Sequence, residues 1–203
     1  KAEAQTREAQ IEAALERVRA ASMAMHKSED LLNIVKTLYG ELETLNINTD
    51  IVGIRLNKDN SKDLCFWMFT LDGLYDKLLY WPYQDLRIFH EINNSQVSGE
   101  VMEMIFSKAE TKEFFREYFK LDSVPQERRA TVQKMEVMSW LGSFLPNTGL
   151  FIMKYLNETY SPEERDIVKR FAKVFEQAYT RFLDLQKAEA QAREAQTENA
   201  LEK

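Results

Sequence analysis

Few residues in this chain are of a type that does chemistry. It holds two histidines, His26 and His90, and one cysteine, Cys65. His26 falls on a long polar run, the setting of a phospho-accepting histidine. Lys27 and Ser28 follow it instead of an acidic residue, and no proline occurs before Pro82. It reads as a solvent-facing or capping residue. His90 lies beside Phe89 and Ile92, where it either lines a pocket or packs as an ordinary side chain. Two separated histidines and one cysteine make neither a zinc site nor an internal disulfide. The carboxylates sit in helical charge runs, for which a solvated face is the ordinary reading. There is no glycine-rich phosphate loop and no nucleophile elbow. Catalysis, a metal and a cofactor are therefore not expected. What remains is aromatic: Trp67, Phe69, Trp81, Tyr83, Trp140 and Phe144 all fall on expected strands. Aromatic walls with a few polar groups make a small-molecule pocket, although the same residues would also pack an ordinary core. With His90 they form the candidate pocket set. Trp140 and Phe144 lead it, because they share a face opposite the small Ser139 and Ser143, a side that suits a close helix.

The elements that would position them follow from pattern. Leu31 to Leu45 carries a broad apolar helical face. Ile51–Leu56 and Leu64–Thr70 read as strands around a polar turn at 57–62, and Asp72-Gly73 turns the chain again. Leu78–Tyr83 reads as a third strand, with Pro82 placing its end at an edge or bend. Helices are expected at Asp85–Ile92, Ser98–Phe106 and Glu110–Phe119, and a helix or loop at Pro125–Lys134. Glu136–Leu145 alternates as a strand, turns at Pro146-Asn147-Thr148-Gly149 and returns as Leu150–Leu156. Ser161-Pro162-Glu163-Glu164 has a cap serine, proline at the first helical position and glutamate three residues after the serine. With no later Gly or Pro, one helix can run from Pro162 to Lys203, about 60 Å at 1.5 Å per residue.

The two ends repeat each other. Lys1–Arg17 and Lys187–Lys203 match at thirteen of seventeen positions, differing at Thr6/Ala192, Ile11/Thr197, Ala13/Asn199 and Arg17/Lys203. With the missing initial methionine, this reads as one module taken from a longer array. Ile11, Leu15, Val18, Ser22 and Met25 follow a 4, 3, 4, 3 spacing, that of a coiled-coil seam. Carried back from Leu201, the second copy's seam reaches Leu183, one residue from the core stripe at Phe182. A parallel-helix homodimer through Ile11, Leu15, Val18, Met25, Leu183 and Leu201 is the expectation. The expected division is a connector at 1–27, a domain at 28–186 and a second connector at 187–203. Of the 203 residues 44% are hydrophobic and 30% charged, with a net charge of −6. The acidic balance gives no nucleic-acid footprint. No apolar run approaches the ~18 residues of a membrane span. The lone cysteine fits a reducing, cytoplasmic compartment.

Helix, three strands, variable helices, strand hairpin and long helix together resemble a GAF domain of bacterial signalling proteins. ALERVRAASMAMHKSEDLL at 14–32 and FAKVFEQAYTRFLDLQKAEAQAREAQ at 171–196 are similar to connectors of GAF-like modules arrayed upstream of sensor histidine kinases or nucleotide cyclases. The resemblance implies an α+β fold with a central antiparallel sheet of about five to six strands. The terminal helices would lie on one face, extending as coiled-coil connectors, with a small-molecule pocket often on the other. It implies a non-catalytic sensory or regulatory module whose partners are its own copy, neighbouring modules of the same polypeptide and a small-molecule ligand. A degenerate structural spacer or a protein-interaction domain is the alternative. Three specialised activities do not carry over. Bilin-binding members have a chromophore cysteine, often followed by His, whereas Phe66 follows Cys65. Of the cyclic-nucleotide pattern only Asn57-Lys58 is present. The sulfoxide-reductase branch needs several cysteines.

Overall fold

The computed structural model describes residues 2–27, 30–57, 61–70, 77–122, 124 and 126–201, without the side chains of 195, 196 and 198–201. The Asp72-Gly73 turn, the tip of the 57–62 turn and the Leu201 side chain lie outside the described residues. The elements are α1 (Ala2–Met23), α2 (Asp30–Thr44), β1 (Ile51–Leu56), β2 (Leu64–Thr70), β3 (Leu79–Trp81), α3 (Arg87–Ser98), β4 (Met102–Phe106), α4 (Lys108–Tyr118), α5 (Gln126–Val132), β5 (Met138–Phe144), β6 (Thr148–Lys154) and α6 (Pro162–Leu201).

The strands form one antiparallel sheet in the order β3-β2-β1-β6-β5-β4. Every residue of β1, β5 and β6 is buried, so both faces of the sheet are covered. The period-two alternation of a strand sorts the side chains into two cores. Val52, Ile54, Trp67, Leu141 and Ile152 join α1, α2 and α6 on one face. Phe66, Met68, Trp81, Met104, Trp140 and Phe151 join α3, α4 and α5 on the other. Serines 139 and 143 sit on the α6 side, where α6 crosses β5. The architecture is α+β, with the terminal helices on one face, as the sequence leads one to expect.

The start of α6 is fixed as its motif predicts. The Glu164 amide donates to Ser161 Oγ (3.1 Å), and the Ser161 amide to Glu164 Oε2 (2.7 Å). α1 ends at Met23, and Asp30 Oδ2, at the start of α2, accepts from the His26 and Lys27 amides at 2.9 and 3.1 Å. Those backbone bonds hold the Asp30 carboxyl below the usual range.

Two expectations need correction. Ser98–Phe106 is not a helix. Gly99, at φ 71°, ends α3 in the left-handed conformation, its amide bonded to the Ser95 carbonyl. The chain then alternates Met102, Met104 and Phe106 into the second core as β4, paired with β5. Val101, Met104 and Ile105 give a helical spacing only because Val101 and Ile105, which alternate with Met104 onto the terminal-helix side, are also apolar.

The second correction concerns the first copy of the repeat. Ile11, Leu15, Val18 and Met25 are buried within the chain itself, in one core with α2 and α6. Arg7 pairs with Glu163, Arg170 with Glu8 and Glu12, and Arg181 with Met23, so α1 and α6 run side by side in the same direction. From Ile11 to Met25 the expected connector therefore packs its apolar side chains into the domain's core, while residues 2–10 are almost all exposed. The a/d spacing is real, but its partner helix is α6 of the same chain. By contrast, α6 beyond Phe182 leaves the core: Leu183 is 36% and Leu185 53% exposed. Among the described residues, no helix is long and apolar enough to cross a membrane.

Leu15→Ala should therefore destabilise the domain by about 2–5 kcal/mol, the range for emptying a packed leucine site. Leu185→Ala should move stability by no more than about 0.5 kcal/mol. Urea melts of the two variants decide this: equal, small losses would mean that α1 is not part of the core.

Candidate functional site

The aromatic residues of the second face converge on one point. Phe151, on β6, can lie flat on the sheet because Gly53 opposes it on β1; a Cβ built on Gly53 would meet the ring at 2.2 Å. Trp140, on β5, stacks on Phe151 (4.8 Å between centroids, 11° between planes). Trp81, on the short edge strand β3, meets Phe114 edge-on at 5.2 Å and Phe89 at 5.5 Å. From above, α4 supplies Phe114, Phe115 and Tyr118 at helical spacing. Apart from Phe89 these rings, with Ile51, Phe66, Met68, Leu79, Met153 and Tyr155, line a cavity of about 20 Å³, room for one water at most. The indole Nε1 atoms of Trp81 and Trp140 are buried without a hydrogen-bond acceptor. Trp67 Nε1 is in the same condition on the opposite face.

The position of α4 is fixed by a reciprocal cap. The Glu110 amide donates to Ser107 Oγ, while Glu110 Oε2 accepts from the Ser107 amide at 2.8 Å. Arg87, on α3, donates to Glu110 Oε1 at 2.8 Å and so ties the two covering helices together. The Ser107 amide, the Ser107 hydroxyl and Arg87, in that order, hold the Glu110 carboxyl down at about 2. Phe115 has a second role. Besides walling the cavity, it lines a surface groove of about 400 Å³ bordered by Lys108, Lys112, Arg116, Phe119 and Met135. One ring therefore lines both the cage and the groove.

The candidate pocket residues divide three ways. Trp81 and Trp140 line the cavity. Phe144 belongs to the same core but lies off the cavity, its ring over Gly142 and Gly149. Tyr83 and His90 are at the outer surface; Tyr83 meets Phe89 edge-on at 5.5 Å, and His90 Nε2 lies 2.6 Å from Asp85 Oδ1. Trp67 and Phe69 point the other way, into the terminal-helix core, where Phe69 meets Tyr39 at 5.1 Å. Their strand, LCFWMFT, is apolar on both faces, so composition could not reveal which side each residue takes. Cys65 is buried on that same terminal-helix face, away from the cage.

The sequence reading passed over Arg55. It is fully buried on β1, in phase with Ile51 and Gly53 on the cage side. Its Nη1 donates to Gln96 Oε1 at 2.6 Å, while Nε and Nη2 have no partner. Burial pushes its guanidinium down to about 10. The available signal was a charged residue in the inward phase of an otherwise apolar strand.

No family model matches the chain, and no curated protein matches it. Solved structures do. The phycocyanobilin-bound GAF domain from a cyanobacterial phytochrome aligns with a TM-score of 0.50 at 15% identity, covering 84% of this chain and 96% of that one. The GAF domain of a phosphoenolpyruvate-protein phosphotransferase from Coxiella burnetii aligns at 0.49 and 11%, covering 91% and 97%. The GAF domain of a two-component sensor histidine kinase from Bacillus halodurans aligns at 0.48 and 11%, covering 77% and 98%. At these identities the likeness is one of fold, and the fold is that of a GAF domain.

Two outcomes follow. Phe115→Ala should join cage and groove, so acrylamide should quench Trp81 and Trp140 emission more strongly while the chain stays folded; unchanged quenching would mean Phe115 is not the barrier. The Glu110 carboxyl is depressed from its ordinary 4.5 to about 2. Its contribution to the α4 cap is thus complete above pH 4.5, declines below it, and is gone once the pH falls through 2. Titrating the Glu110 side-chain carbon by NMR should show that low midpoint, and Ser107→Ala should raise it.

Proposed function

We propose that this chain is a non-catalytic regulatory module of a larger signalling protein, which relays a change at the aromatic cage to its terminal helices. The observation that carries the reading is the shared wall between them. On β5 and β6, Trp140 and Phe151 form the cage floor, while the alternate residues Leu141 and Ile152 support the terminal-helix core. A displacement of these strands cannot be confined to one face of a close-packed sheet. A ligand that enters past Phe115 and favours one strand position therefore biases how α1 and α6 pack, provided it binds the two arrangements with different affinity. Aromatic rings with two unpaired indole donors suit a planar, mostly apolar molecule carrying acceptor atoms.

The remaining partners follow from α6. Its distal part is exposed as far as its side chains are described and repeats the sequence of α1. It serves as the entry helix of a neighbouring module or pairs with its own copy in a parallel homodimer, with Leu183 and Leu201 at the contact. The lone Cys65, reduced and buried, agrees with a cytoplasmic setting. A second reading, a structural spacer that binds nothing, is favoured by one fact: the cage holds only about 20 Å³.

A native mass spectrum of the purified chain separates these readings. The regulatory reading expects a dimer that retains a small molecule, and the excess mass gives its weight. A bare chain whose melting temperature responds to no compound in a panel of planar aromatic acids, alcohols and amides would leave the spacer.

A further inference from the structure

Arg55 carries a charge that the fold leaves unanswered. A buried guanidinium is retained when it is paired and hydrogen-bonded, because desolvation otherwise disfavours it strongly. Here one of five N–H groups is engaged, by the neutral Gln96 amide, and no carboxylate among the described residues bonds to it. The unpaired atoms are Nε and Nη2, which form one edge of the guanidinium. Their N–H groups point the same way and match the two oxygens of a carboxylate or phosphoryl group. Arg17 uses this same edge in the same molecule: its Nε and Nη2 donate to the two oxygens of Glu41, both at 2.7 Å. Arg55 presents the identical fork to an apolar interior.

The surroundings set the shape of what could answer it. Phe66 and Gly149 are the cross-strand neighbours of Arg55, and the Phe144 ring lies over Gly149. Phe66 is also a wall of the aromatic cavity. Phe66 therefore stands between the cage and the strand position of Arg55, and a ligand that reaches both must displace its ring. The cover is thin: Gln96 is half-buried on the last turn of α3, beside Val97, which is 90% exposed. Its Nε2 reaches the Pro146 carbonyl at 3.4 Å, a long bond that opens at little cost.

The geometry points to Arg55 as the anchor for an oxyanion: the carboxylate or phosphoryl group of a small ligand whose aromatic body lies in the cage. This rests on the regulatory reading and gives its ligand a chemical class, an aryl acid. The anion neutralises the buried charge, and Gln96 swings aside or stays on Nη1. A single buried water on Nε and Nη2, with Asn57 Oδ1 as a further unpaired acceptor nearby, is the competing occupant.

The test measures the affinity of the full chain for benzoate, phenyl phosphate and neutral benzyl alcohol, by calorimetry, in the wild type, Arg55→Met and Arg55→Lys. Benzoate or phenyl phosphate should bind the wild type and lose about ten- to a hundredfold in Arg55→Met, the range for a charge-assisted hydrogen bond. Benzyl alcohol should change little. Arg55→Lys, which keeps the charge but not the fork, should recover only part of the loss, and it carries the comparison should the Met variant fold poorly. Whichever of the two anions binds more tightly identifies the headgroup. Equal affinity of wild type and both variants for all three probes would overturn the anchor and leave the cage reading standing. Binding of the alcohol alone would do the same. Failure of every probe to bind the wild type would overturn both.

Discussion

Phe151 lying flat across Gly53 is the contact on which the cage side depends. β1 and β6 are the central pair of the sheet, and at the middle of their register a phenyl ring occupies the volume of the missing Cβ. That ring gives Trp140 a plane to stack on, and the stacked pair is the floor against which Phe114 and Tyr118 close. A methyl group at Gly53 would force the ring off the sheet, because nothing beneath it can retreat: the far side of β1 is packed against α2. Overpacking at such a point is felt through the whole layer. Gly149 repeats the device under Phe144, with a ring carbon 2.2 Å from where its Cβ would be.

The same close packing makes communication between the faces a matter of geometry. Each strand contributes alternate residues to the two cores, so the rings of the cage and the aliphatic side chains beneath α6 are attached to one backbone. The cage as it stands is nearly full, and an occupant must therefore displace something. Phe115 is the element with somewhere to go, since the groove beyond it is open. Displacement of Trp140 or Phe151 would instead move the strands. On the proposed reading, a ligand seated by moving Phe115 alone would bind without signalling, whereas one that lifts the Trp140–Phe151 pair would change the surface offered to α6. Coupling thus depends on which ring yields, and affinity alone does not decide it.

Much of this architecture is legible in the sequence, where local chemistry and tertiary context agree. The serine–proline–glutamate start of α6, the β5–β6 hairpin and the alternation of Trp140 and Phe144 on β5 are local signals, and the fold honours them. Other features depend on partners distant in sequence. An a/d stripe says that a helix is needed opposite, but not whether that helix comes from a second chain or from residues 160 positions away. In β2 the apolar residues are continuous, so nothing distinguishes Phe66, on the cage, from Trp67 and Phe69, on the terminal-helix side. β4 is hard to read because Gly99 resembles a helix interruption as much as a terminus, and apolar Ile105, in the opposite phase to Met104, blurs the period of two. Arg55 was visible as a charge in an apolar strand, but its missing partner could appear only once Gln96 and its other neighbours were assembled around it.

The repeat takes on a geometric meaning once α1 is seen beside α6. Glu194 and Glu198 are the counterparts of Glu8 and Glu12, which grip Arg170 in this domain. They follow Arg170 on the same helix by 24 and 28 residues, so in the proposed array a following module would dock roughly 40 Å further along. Because α1 and α6 run in the same direction, each module would pass its helix on without reversing the chain. The copies differ where it matters for that handover. Buried Ile11 is matched by Thr197, so the second copy offers a less apolar stripe than the first. A helix gripped more weakly by its next domain than by its own is one whose packing at the junction can be shifted by a modest change of free energy, and that is the property a relay requires.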